Sequence, residues 1–399
     1  ANTTGGSNTG VGKDALGSNT TASANTAFGY GSLRDNTTGS SNVGLGYLTL
    51  EENTTGGNNT AVGFQTLEEN TTASNNTGLG YFALRKNTTG TENTAVGMSS
   101  STANTTGNYN ASFGKGTLTT NTTGSQNTAI GTNSLQSATT ADNNTGVGYY
   151  ALQANTTGTQ NVAIGTSTLD TNTTGGQNTA IGYAAMDNNT TGTQNTAVGG
   201  LALDANTTAN NNTAVGYAAL TTNTTGLSNT AVGSFSLEQN TTGESNAALG
   251  FEALEENTTG SNNTGLGFRA LEANTTGAEN TAIGALSLDA CTTGNNNTAM
   301  GHNSLSTNIL SDHNVAIGND ALATHNTGSS IDAYNVAVGS GAGFAVTTGK
   351  QNTFIGGNAG DANTTADNNT AVGYNSLTAN TTGANNTAVG AGAMIATTT

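Results

Sequence analysis

Asn212-Thr213-Ala214-Val215-Gly216-Tyr217-Ala218-Ala219-Leu220-Thr221-Thr222-Asn223-Thr224-Thr225-Gly226 is one copy of a pattern that runs along the whole chain. Alignment on the glycine that closes Asn-Thr-Ala-Val-Gly gives Gly12, Gly29, Gly46 and so on to Gly390, 23 copies in all. Neighbouring copies are 17 residues apart, except for one interval of 21 residues between Gly318 and Gly339. Self-similarity at a fixed period marks a repeat architecture, in which each unit buries its apolar side only by stacking on its neighbours. The pattern fills residues 1–399 and is read as a single repeat domain, with irregular coils at about 302–349.

Each column of the repeat carries its own physics. The residue before the glycine is apolar in every copy, from Val11 to Val389, and two residues earlier stands Thr, Val or Ala. Positions i and i+2 share a face of a strand, so the pattern predicts a short strand with this branched face inward. Leu or Met four residues after the glycine closes the core, with Ser101, Gly343 and Gly360 departing, and Phe354 replaces the small residue between the two branched positions. Asn-Thr-Thr-Gly is turn chemistry, because Asn and Gly tolerate positive φ. Gly, Asn and Thr are poor helix formers, and no apolar stripe of helical period survives beyond one turn. The expected fold is all-β: a parallel β-solenoid of about 23 coils of 17 residues.

Composition supports a thin core. Only 33% of residues are hydrophobic and 8% charged, with 57 Gly and no Pro. That is too little apolar content for ordinary domains and too little charge and Pro for typical disorder. Seven basic residues against 24 acidic ones leave a net charge of −17. Phosphate neutralisation needs clustered Lys and Arg, so nucleic acid is excluded as a partner, and no apolar run is long enough for membrane insertion. The single Cys291 has no internal disulfide partner. The chain opens at Ala1 inside a repeat and stops at Thr399 in another, which suggests end-to-end filaments or a longer parent chain.

Asn161-Val162-Ala163-Ile164-Gly165, Asn314-Val315-Ala316-Ile317-Gly318 and Asn335-Val336-Ala337-Val338-Gly339 resemble the head repeats of YadA-type trimeric autotransporter adhesins. Similar repeats occur in bacterial surface proteins and phage tail-fibre-like proteins. The resemblance implies a left-handed parallel β-roll, often trimeric, exposed at a cell or virion surface. The period here is longer than that of the adhesin head, and the Asn-Thr-Thr-Gly turn is additional.

Two columns stand out as candidate sites. Asn-Thr-Thr, an N-glycosylation acceptor pattern, occurs 18 times. An acidic residue two positions earlier singles out Asn53, Asn70, Asn172, Asn189, Asn206, Asn240, Asn257, Asn274 and Asn363. The competing reading is an asparagine ladder along a solenoid turn. Aromatic residues after the glycine, Tyr47, Phe64, Tyr81, Tyr149, Tyr183, Tyr217, Phe251 and Phe268, are candidates for chain–chain contact or stacking on sugars. The acidic column after Leu reads as a solvated face, its repulsion relieved by Ala, Thr or Gln in alternate copies. His302, His313 and His325 occupy different repeat positions, and no metal or cofactor site is expected from them. No nucleophile–base pairing or phosphate loop points to an enzyme.

The expected function is an extracellular, cell-surface structural protein: the shaft of a fibre or filamentous appendage, glycosylated and partnered by copies of itself. The alternatives are a carbohydrate- or surface-binding adhesin or phage tail fibre, and an ice-binding protein with Thr arrays.

Overall fold

The computed structural model describes residues 2–398, in two units, Ala1–Asn195 and Thr196–Thr399. Each unit is a parallel β-solenoid with one three-residue strand per coil. The first unit carries β1 (Thr9–Val11) to β11 (Thr179–Ile181), the second β12 (Thr196–Val198) to β23 (Thr387–Val389). Among the described residues there is no helix.

Pairing is parallel and in register. In the first unit Thr145, Gly146 and Val147 face Val162, Ala163 and Ile164, 17 residues on. In the second, Val315, Ala316 and Ile317 face Val336, Ala337 and Val338, so the 21-residue interval leaves the strand register intact. The extra chain is taken up in the turns, where Asp312 and Asp332 form an isolated parallel bridge and Gly328 projects into open space.

Outside the strands the backbone mixes right- and left-handed residues. In one coil Ala218 (φ 55°), Leu220 (φ 54°) and Ser228 (φ 59°) are left-handed. Single left-handed residues other than Gly cost on the order of 1 kcal/mol each. The return is amides aimed along the stack in both directions. Ala218 N–H donates to Gly200 O of the preceding coil at 3.0 Å, and Leu220 N–H to Ser236 O of the next at 3.0 Å. Gly216 is obligatory for a separate reason. Its φ is +141°, and a Cβ there would lie 2.5 Å from Gly233 O.

The strands face the opposite way from the sequence-based expectation. Their central residue is the buried one: Ala27, Ala61, Ala95, Ala129, Ala163 and their counterparts are sealed, while the flanking Thr and Val, Ile, Leu or Phe are half-buried or exposed. The coil interior is too narrow for two branched side chains. It already holds Leu33, Leu50, Leu67 and Leu84 beside those alanines, together with two columns of buried asparagine. A Cβ on Gly44 would meet Ser32 Oγ at 2.4 Å, which shows how little room remains.

Three departures noted in the sequence prove to be one feature. Phe354 stands at the inward central position and is fully buried, paired in register with Ala337 and Ala371. Gly343 and Gly360 occupy the Leu column on either side of its ring. Cβ atoms on them would come within 2.9 Å and 2.5 Å of that ring. The phenyl group fills the volume that two leucines vacate.

Candidate functional surface

The asparagines form two interior ladders. In the Asn-Thr-Thr column, Asn53 Nδ2 donates to Asn36 Oδ1 at 2.8 Å and to Gly56 O at 3.0 Å. Asn70 repeats this on Asn53 at 2.7 Å. In the second column, ahead of each strand, Asn42 Oδ1 accepts from Asn59 N–H at 2.9 Å, and Asn59 Nδ2 donates to Ala73 O at 2.9 Å. Buried amides are tolerated because both ends find partners. At two interruptions of the first ladder the oxygen below is orphaned: Asn121 Oδ1 under Ala138 and Asn274 Oδ1 under Cys291 have no partner.

This corrects the glycosylation expectation. Asn53, Asn70, Asn172, Asn189, Asn206, Asn240, Asn257, Asn274 and Asn363 are all sealed from solvent. A glycan on Nδ2 would have to pass through the coil wall, and the amide nitrogen is already a ladder donor. The first Thr of each motif is also engaged, as in Thr54 Oγ1 to Thr71 O at 3.0 Å, whereas the second, such as Thr55, is exposed.

The outward side of the strands is a uniform surface in each unit. None of the 23 strands carries a charged residue. One column reads Thr with occasional Val or Ala. The other reads Val, Ile, Leu, Phe or Met, with Phe28 at 55% exposure and Leu249 at 52%. At about 4.8 Å per strand and about 7 Å between i and i+2, the eleven strands of the first unit span on the order of 500 Å² once side-chain width is included. Ala111, Val162 and Ala247 interrupt the Thr column, and Phe28 and Phe113 stand among Val, Ile, Leu and Met in the other, so the face is apolar but not a flat, regular array. Around Ala247 it dips into a depression of about 230 Å³ lined by Thr230, Leu249, Thr264 and Leu266.

The eight aromatic candidates stand exposed beside this face, two residues beyond its apolar column. Tyr30, Tyr47, Phe64 and Tyr81 stack in succession at 5.4, 5.1 and 5.2 Å, within 14° of parallel. Tyr149 leans on Tyr150, Phe251 stacks on Phe268 at 6.0 Å, and Tyr217 meets Phe235 edge-on. Tyr183 and Tyr217 are exposed by 64% and 51%. In the stacked run the ring faces are turned on each other and edges on solvent, so most faces are not free to receive a sugar.

The charged column after Leu runs in blocks instead of alternating. Arg34, Glu51, Glu68 and Arg85 occupy four successive coils, with Arg34 paired to Glu51 and Arg85 Nε 2.6 Å from Glu68 Oε2. Glu238, Glu255, Glu272 and Asp289 form a second run without flanking arginines in the column. Burial, and then Glu252, Glu238, Glu272 and Glu256, push the Glu255 carboxyl up to about 7. Burial followed by Asp187 pushes Asp170 up to about 6. Glu252, Glu255 and Glu272 bring carboxylate oxygens within 4.8 Å of one another. Their cation is Arg269, whose Nε lies 2.6 Å from Glu252 and 3.6 Å from Glu272.

The histidines are separate, as the spacing implied. His302 is exposed, His313 pairs with Asp332 at 2.9 Å, and His325 is sealed inside. No helix among the described residues is long and apolar enough to cross a membrane.

No protein-family model matches the chain, and no curated protein matches it.

Proposed function

We propose that the protein is structural and extracellular, the shaft of a fibre or filamentous surface appendage, built from copies that meet through the outward strand face. The observation that carries this reading is the segregation of charge. A chain of net charge −17 repels its own copies, yet its strand face holds no charge at all. Contiguous apolar patches beyond a few hundred Å² are uncommon on soluble monomers, and a standard interface takes about 800 Å² from each partner. Each unit offers a strand face on the order of 500 Å². The stacked aromatic column borders that surface and extends it.

Sedimentation velocity on the native chain and on a Val215→Glu, Val232→Glu, Leu249→Glu variant tests the reading. All three side chains point outward, so the coils remain intact. Native protein is expected to self-associate and the variant to sediment as a monomer. A native monomer at high concentration, or a variant that still associates equally, rules the reading out.

A further inference from the structure

The expanded coil holds a group that the rest of the fold never tolerates. His325 stands in the Asn-Thr-Thr ladder column, fully buried, and neither Nδ1 nor Nε2 has a hydrogen-bond partner. Its column neighbours cannot serve it. Asn308 turns its amide to Ser311, donating to Ser311 O at 3.0 Å and accepting from the Ser311 hydroxyl, and Val346 has nothing to offer. The charged groups of this corner look elsewhere. Asp312 accepts from Asn295 N–H at 2.6 Å, and His313 pairs with Asp332, which also accepts from Tyr334 Oη at 3.1 Å. No charged group acts on the His325 ring, and burial alone holds its pKa down, to about 4.

The backbone is thinnest at the same place. In the other coils of the second unit the amide after the ladder residue bonds to the next coil, often together with the one that follows it, as when Thr292 and Thr293 N–H donate to Ile309 O at 3.0 and 3.4 Å. Among the described residues, the amides of Ile309 and Leu310 donate to no carbonyl of the following coil. The turn of the following coil, which would supply the acceptor, is the one that departs into the excursion around Gly328.

We propose that His325 is an acid-operated latch: protonating its sealed imidazole drives the ring from the asparagine column and frees the turns at 309–312 and 326–331. An imidazolium brings two N–H donors and a charge to a site with no free acceptor and no counter-ion. It is stable only if the ring reaches water. The sign follows from the lowered pKa. The opened form takes up its proton near the ordinary 6.5, the closed form only near 4, so opening is favoured as pH falls below 6.5 and the bias stops growing below 4. At pH 5 the opening equilibrium is expected to be about 30-fold larger than at pH 7.5.

Hydrogen exchange on the full chain at the two pH values, corrected for intrinsic rates, reads this directly. Peptides covering the turns at 309–312 and 326–331 are expected to open about 30-fold more at pH 5, and His325→Asn, which restores the column residue, is expected to remove that response. An unchanged response in the variant, or none in the native chain, overturns the latch. Histidine ring NMR of the native chain needs no variant. One imidazole titrating near 4 supports the latch, and three titrating near 6.5 overturn it.

Discussion

Asn70 Nδ2 lies 2.7 Å from Asn53 Oδ1, one coil below, and the same bond recurs along the column within each unit, as from Asn121 to Asn104 and from Asn257 to Asn240. The bond explains how a chain with 33% hydrophobic residues holds a continuous interior. Much of that interior is a hydrogen-bonded polar ladder instead of an oily core. Asn70→Ala leaves Asn53 Oδ1 without its donor and takes the Asn70 Oδ1 acceptor from Asn87 Nδ2, and unsatisfied buried groups cost about 1–3 kcal/mol each. The reverse change is more telling. Ala138→Asn supplies the missing donor to Asn121 Oδ1 and is expected to raise stability by about 1 kcal/mol in denaturant melts.

Phe354 and its two facing glycines are expected to behave as one packing unit. Phe354→Ala alone empties a sealed site and should cost about 3–5 kcal/mol. Adding Gly343→Leu and Gly360→Leu to it restores the usual column and should recover most of the loss. The same two leucines beside native Phe354 should overpack and destabilise. Chemical denaturation of the four variants gives the cycle.

Acid should tighten the carboxylate column. Glu255 and Asp170 have raised pKa values, about 7 and about 6, so the folded chain holds their protons more firmly than the unfolded chain. Their contribution is unfavourable at high pH and is relieved as pH falls through those values towards the ordinary carboxylate range. Melting temperature is therefore expected to rise from pH 8 to pH 5.5. Glu255→Gln should raise it at pH 8 and flatten the profile.

Intact-mass spectrometry of the folded protein from its native source should show no N-linked sugar at Asn53, Asn70, Asn172, Asn189, Asn206, Asn240, Asn257, Asn274 or Asn363. Those amides are interior donors, and a glycan on any one would replace a hydrogen that points into the closed coil. A mass excess released by an N-glycan-specific amidase would contradict the placement.

Periodicity made the coil count and the parallel stack readable, because every column repeats under the same physics. Leu50 and Leu67 were legible as core for the same reason. The facing of the strand was not. In a three-residue strand, Thr60-Ala61-Val62, hydropathy favours burying the ends, but only the Ala fits beside the leucine and the asparagine columns. Interior width is a property of the closed coil, and no single copy of the sequence states it. Asn53 matches both a sequon and a ladder, and only its burial separates them. Phe354, Gly343 and Gly360 look like three unrelated exceptions until the stack brings them into contact. His325 stands seven residues after Gly318, as Asn308 stands after Gly301, so its column is readable from the sequence, whereas its burial without a partner is a property of the closed coil.

A cryo-EM map of the assembled protein tests the central claim most directly. The outward column from Val198 to Val389 is expected to be buried against the strand face of another copy, with the acidic column on the outside. Assemblies in which Val215, Val232 and Leu249 face solvent, or particles that are single chains throughout, would contradict it.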